Sequence, residues 1–172
     1  MLVLGIDPGT AVTGYGLVRV DREVLEPVAY GVVTTPAGDA LAHRLQHLYR
    51  ELRELIDTYR PTEGSVEELF FARNARTALS VGHARGVILL ALDQAGLPIY
   101  EYTPLQVKQA ITGYGRASKD QVQQMVRILL GLDAIPQPDD AADALAIAIC
   151  HANSHSLAAR LVTADGSAGG TA

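Results

Sequence analysis

Met1-Leu-Val-Leu-Gly-Ile-Asp7 opens with an apolar run that a carboxylate ends, and Pro8-Gly9-Thr10 follows as a turn. A short unbroken apolar run suits a strand buried on both faces. Thr13 to Val20 and Val28 to Thr35 carry the branched and aromatic residues of two more strands. The links between the three are short. Parallel pairing needs a crossover of about a dozen residues or more, so these three strands are expected to pair antiparallel.

Beyond this sheet the apolar period changes. Leu41, Leu45, Leu48, Leu52, Leu55 and Tyr59 step by three or four, which predicts a helix with Asp39 as N-cap and Pro61 as its stop. Ser65 to Phe70 reads as a strand, although it holds two adjacent glutamates. Asn74 is placed to cap a long helix reaching about Gln94, and Leu97 to Tyr102 is a short strand. Thr103-Pro104 supplies a cap and a proline for the next helix. Ser118 with Gln121 forms a capping box for another, whose core face is Val122, Met125, Val126, Leu129 and Leu130. A last helix is expected from about Asp139 to His155. The order β-β-β-α-β-α-β-α-α-α defines an α/β domain with a mixed five-stranded sheet flanked by helices. Residues 1–157 are expected to form that domain, and the small, polar residues 158–172 a disordered tail.

The 172 residues fit one domain, and a hydrophobic content of 48% allows a substantial core. No apolar stretch approaches the roughly 18 residues of a membrane span, and the single cysteine, Cys150, has no internal partner. A cytoplasmic protein is the expectation. The net charge of −5 argues against a nucleic-acid partner until its distribution is considered. Between Arg73 and Arg127 seven basic residues face three acidic ones, a local +4 against −9 elsewhere. That asymmetry is compatible with a basic binding face on an acidic protein, and chance segregation produces it too.

Carboxylates stand where a fold alone has little use for them. Asp7 closes an apolar strand, where a turn residue looks the same. Glu67 and Glu68 sit between Val66 and Leu69-Phe70-Phe71; on a strand they point to opposite faces. Asp140-Ala-Ala-Asp143 places two carboxylates on one helix face. Asp139 and Asp140 also suit a helix N-terminus. Asp143 lies deeper, among alanines and aliphatics, where an unpaired carboxylate costs several kcal/mol unless something compensates it. A bound cation compensates it. Oxygen ligands of this kind select Mg²⁺ or Mn²⁺ over zinc. Two such ions about 3.5–4 Å apart activate water and stabilise the leaving oxygen in phosphodiester hydrolysis.

Leu4-Gly-Ile-Asp-Pro-Gly-Thr10 with Thr13-Gly-Tyr-Gly16, Glu67-Glu-Leu-Phe70 with Asn74, and Gln106-Val-Lys-Gln109 occur in one order along the chain. Lys119 with Gln121-Val-Gln123 and Asp140-Ala-Ala-Asp-Ala-Leu-Ala-Ile-Ala-Ile149 complete it. Over residues 2 to 155 this pattern resembles the RuvC family of Holliday junction resolvases. The resemblance implies an RNase H-like fold and a bacterial homodimer that nicks two opposed strands of a four-way DNA junction in recombination and repair. It implies Asp7, Glu67, Asp140 and Asp143 as catalytic, metal-binding carboxylates, with two Mg²⁺ ions (Mn²⁺ as an alternative). Lys108 and Lys119 would lie near the scissile phosphate, Phe70 would reach the junction centre, and Arg73 and Arg76 would contact DNA. The RuvA–RuvB branch-migration complex is an implied partner. Glu68 beside Glu67 and Asp139 beside Asp140 leave those two assignments open.

His43 with His47, and His151 with His155, have the spacing of helical zinc ligands but no third ligand nearby, and read as exposed helix residues. Cys150 reads as core. Lys119, Gln123 and Arg127 form a polar stripe suited to phosphate or to plain solvent. Ala78, Gly82 and Gly86 line one face of the long helix with small side chains, for close packing on a second copy or on the protein's own sheet. The nearest enzyme alternative is an RNase H-like nuclease acting on structured RNA. A sugar-kinase or actin-like ATPase would use the Asp7-Pro-Gly-Thr10 loop for phosphate, but needs two domains and more chain.

Overall fold

The computed structural model describes residues 1–22, 24–68 and 75–167, and only the backbone of 75–77 and 156–167. Strands β1 (Leu2–Asp7), β2 (Val12–Asp21) and β3 (Val24–Thr34) come first, then helix α1 (Leu41–Tyr59). Strand β4 (Glu63–Glu67), α2 (Ala75–Gln94) and β5 (Ile99–Tyr102) follow, then α3 (Pro104–Thr112), α4 (Lys119–Leu129) and α5 (Asp139–Ser167). The sheet order is β3-β2-β1-β4-β5. The first three strands pair antiparallel, and β4 and β5 extend the sheet parallel to β1. This is the mixed five-stranded α/β architecture expected. No described helix is long and apolar enough to cross a membrane.

Strand alternation divides the core in two. Leu4, Ile6, Leu17 and Val66 pack under α1 and α2, with Leu48, Leu52, Ile88 and Leu92. Val3 and Val18 face the other way, against Val107, Val122, Val126 and the interior of α5. Helix α5 is buried nearly all round from Ala141 to Ala152, which explains its almost unbroken apolar sequence.

Glycines on β1 and β2 let α5 settle onto the sheet. A Cβ on Gly5 would stand 2.2 Å from the Ala144 carbonyl oxygen, and one on Gly14 would stand 2.0 Å from the Asp140 carbonyl oxygen. Gly16, opposite Gly5, meets the backbone of Leu145 in the same way. Backbone packs on backbone here. The acidic start of α5 is thereby held over the end of β1.

Several boundaries differ from those read in the sequence. Ala40, not Asp39, is the N-cap of α1, and no side chain caps that end. Strand β4 begins at Glu63, two residues before Ser65, because Thr62 already bonds to Leu2 and draws the chain alongside β1. Helix α5 continues to Ser167, past the His155 expected. Asn74 lies outside the described residues. The caps at Thr103 and Ser118 are capping boxes closed by Gln106 and Gln121.

Candidate active site

Parallel neighbours β1 and β4 end side by side, since Ile6 pairs with Val66. Their next residues are Asp7 and Glu67, and alternation turns both toward α5. Asp143 approaches from α5. The three carboxylates line one cleft of about 210 Å³, with Lys108 of α3 and Lys119 of α4, walled by Pro104, Val107, Val122 and Ala146. Glu68 is exposed beyond the strand, its N–H donating to the Tyr102 carbonyl at 2.8 Å. The geometry therefore separates the two glutamates.

The loop after Asp7 is fastened on three sides. Thr10 Oγ1 donates to the Ser80 carbonyl of α2 at 2.5 Å, and Thr35 Oγ1 donates to the Thr10 carbonyl at 2.5 Å. Arg44 of α1 donates through Nη2 to that same carbonyl at 3.0 Å and through Nε to Thr35 Oγ1 at 2.9 Å. A carboxylate at a strand end is thus held on a rigid base. These partners come from α1, α2 and the residue after β3, and no local sequence pattern announces them.

Burial first, and then the charges of Glu67, Asp143 and Asp140, push the Asp7 carboxyl from 3.8 up to about 8, against an opposing pull from Lys119. Burial and Asp143 raise Glu67 to about 7, against Lys108. Burial raises Asp143 as well, although Lys119 opposes it. Lys119 Nζ stands 3.1 Å from Asp139 Oδ2 and 3.1 Å from Asp143 Oδ2. That contact holds Asp139 below its usual range, and Asp139 is 53% exposed. Asp140 is the half-buried neighbour whose charge reaches both Asp7 and Asp143. Both members of the adjacent pair act on Asp143, and Asp140 alone of the two also acts on Asp7.

A hard divalent cation suits this donor set. The carboxylates are half-buried, under-neutralised by two lysines, and Asp7, Glu67 and Asp143 are destabilised in their charged form. Among the described residues no three of these groups already stand within ligating distance of a common point. Lys119 bridges Asp139 and Asp143, so a cation held by Asp143 would compete with that ammonium. A second hollow, of about 430 Å³, lies apart from the carboxylates between Tyr114, Ala117 and Met125.

Other residues singled out in the sequence fare differently. Phe70 and Arg73 lie outside the described residues, as does the side chain of Arg76. His155 is exposed, but His151 is 1% exposed, with its ring between Tyr102 and Glu63, so the expectation of a surface histidine is wrong. Its signal was available: it stands eight residues after Asp143, on a helix with no solvent face there. Gln123 is also buried, which breaks the solvated stripe expected on α4. Cys150 is core, and burial pushes its thiol up to about 11. His43 is exposed; His47 is half-buried beside Arg50 and Glu51.

A carboxylate cleft at the shared end of β1 and β4, under a helix crossing a 3-2-1-4-5 sheet, marks an acidic-site nuclease of RNase H-like fold. The model of the family described as crossover junction endodeoxyribonuclease RuvC matches residues 3–151, and this chain belongs to that family. The RuvC of Heliobacterium modesticaldum is 62% identical over 90% of this chain and 95% of its own. That of Desulfitobacterium hafniense is 61% identical over 94% and 98%. A solved Thermus thermophilus RuvC in complex with Holliday junction substrate shares 40% identity, covers 92% of this chain and 96% of its own, and has a TM-score of 0.88.

Proposed function

We propose that this enzyme resolves four-way DNA junctions by metal-dependent phosphodiester hydrolysis, with Asp7, Glu67, Asp140 and Asp143 as the metal-binding carboxylates. The observation that carries this is the single cleft in which Asp7, Glu67 and Asp143 meet Lys108 and Lys119. Mg²⁺ or Mn²⁺ held there, as two ions, would supply an activated water and stabilise the leaving oxygen. The chain's own part is to fix the carboxylates on a rigid sheet end and to place two ammonium groups where a phosphate enters. Lys119, released from Asp139 and Asp143 when a cation arrives, becomes free to contact that phosphate.

Arg73, Arg76 and Phe70 precede or open α2 and are assigned to the DNA, Phe70 toward the junction centre. Paired nicks require two such sites about a two-fold axis. The stripe on α2 favours a homodimer over internal packing. Leu79 and Leu90 are exposed, and a Cβ on Gly86 meets nothing, whereas Ala84, Ile88, Ala91 and Leu92 form the inward face. Membership of the family supports residues 1–157 as the nuclease domain, the bacterial cytoplasm as the setting and RuvA–RuvB as the partner.

The test is cleavage of a synthetic four-way DNA junction beside a linear duplex and a structured RNA, with Mg²⁺, with Mn²⁺ and with EDTA. Paired, metal-dependent nicks confined to the DNA junction support the proposal. Preference for the RNA, or cutting in EDTA, overturns it.

A further inference from the structure

The cleft's geometry depends on how α5 sits relative to β4, because Glu67 belongs to the strand and Asp143 to the helix. On the β1–β2 side that relation is set by the glycines. On the β4–β5 side the side-chain hydrogen bonds centre on one buried residue, His151. His151 Nε2 lies 2.5 Å from Glu63 Oε2 of β4, and its Nδ1 lies 2.7 Å from the Tyr102 hydroxyl of β5. A neutral imidazole protonated on Nε2 satisfies both contacts: the Tyr102 hydroxyl donates to Nδ1, and Nε2–H donates to Glu63. Tyr100 covers the ring, with centroids 4.3 Å apart and planes 30° from parallel.

The placement of these residues is what matters. His151 follows Asp143 by two helical turns, about 12 Å along α5. Glu63 precedes Glu67 by four residues, about 13 Å along β4. Tyr102 is the cross-strand partner of Glu67 itself. Among the described residues, other polar side-chain contacts of α5 go to α3, through Asn153 to the Ala110 carbonyl, and to α4, through Lys119. On the β4–β5 side Ser154 of α5 also stands beside the Tyr102 hydroxyl, so Tyr102 is the common partner of both α5 residues there.

We infer that Tyr102, His151 and Glu63 form a positioning clamp that locks α5 to the β4–β5 side of the sheet and so sets the separation of Glu67 and Asp143. Their role is to keep the two carboxylates close enough to share a cation, without touching it. This rests on the proposal that Glu67 and Asp143 are ligands, and the experiment separates the two claims.

Mn²⁺ is titrated into the full-length protein without DNA, with free Mn²⁺ followed by electron paramagnetic resonance. Tyr102→Phe removes only a hydroxyl, and it is expected to weaken Mn²⁺ binding roughly tenfold, the low end for groups that orient metal ligands. His151→Phe is expected to do the same or more, and His151→Gln, which keeps a donor near the Nε2 position, to do less. Junction affinity in EDTA stays unchanged, and excess Mn²⁺ restores cleavage. A merely destabilised protein would lose active fraction at every Mn²⁺ concentration while keeping its midpoint. A folded Tyr102→Phe protein with a wild-type midpoint overturns the clamp, even if His151→Phe fails to fold. Glu67→Gln is the control: wild-type Mn²⁺ binding by that variant overturns the ligand assignment itself.

Discussion

Replacing Asp7 by Asn should stabilise the metal-free enzyme while abolishing cleavage. The carboxyl titrates near 3.8 when the chain is unfolded and near 8 in the folded protein. Between those values the native state holds a proton that the unfolded state has released. Native stability conferred by that proton is complete below pH 4 and drains away as pH rises toward 8. At pH 7.5 the gap of nearly four pH units corresponds to at most about 5 kcal/mol. Part of the shift comes from the charges of Glu67, Asp143 and Asp140, of which Glu67 and Asp143 are themselves raised, and Asp7 retains some contact with solvent. Allowing for both leaves roughly 2–3 kcal/mol. For a chain of this length that is about 5–10 °C in Tm. The assay is thermal or urea unfolding of both proteins in EDTA at pH 5 and pH 8. The advantage of Asp7→Asn should be small at pH 5 and large at pH 8, and adding Mg²⁺ should raise only the wild type. An Asp7→Asn protein less stable than wild type at pH 8 in EDTA would refute the electrostatic account of the cleft.

The same protons must leave when a cation enters. Mn²⁺ affinity should therefore tighten as pH rises from 6 to 8, by up to about a hundredfold per unit near pH 6, where two protons must leave, and by less than about tenfold per unit near pH 8, because Glu67 and Asp7 titrate near 7 and 8; a flat profile by calorimetry contradicts this. Lys108→Ala and Lys119→Ala should each lower the salt slope of junction binding by about one, which filter binding between 50 and 200 mM salt resolves; unchanged slopes would make them ordinary surface lysines. Gly5→Ala places a methyl 2.2 Å from the Ala144 carbonyl oxygen, so a loss of about 3 kcal/mol or more is expected in urea melts, and a loss below 1 kcal/mol means α5 is not seated on that glycine. Gly82→Leu should give a folded monomer in sedimentation that binds junctions poorly; a folded, active dimer removes α2 from the interface.

What the sequence disclosed and what it hid divide along a physical line. Period and punctuation are local properties, so the strand ending at Asp7, the cap at Thr103, the capping box at Ser118, and the order of all ten elements were legible directly. Asp143 was legible for a different reason, since a carboxylate in an alanine-rich helix is costly wherever that helix lies. His151 is equally out of place on that helix, yet the sequence reading put it in solvent. An imidazole is satisfied by many surroundings, whereas a buried carboxylate has few. The choice of Glu67 over Glu68 needed the parallel pairing of β1 with β4, which no window of neighbouring residues contains. The same holds for the Arg44, Thr35 and Ser80 contacts around Thr10, which join elements up to 70 residues apart. Residues that do chemistry at a cost announce themselves. Residues that only hold them in place are inexpensive one by one, and become visible when the chain is folded. The clamp on His151 belongs to the second kind, so its variants should reveal themselves in metal affinity before they do so in melting temperature.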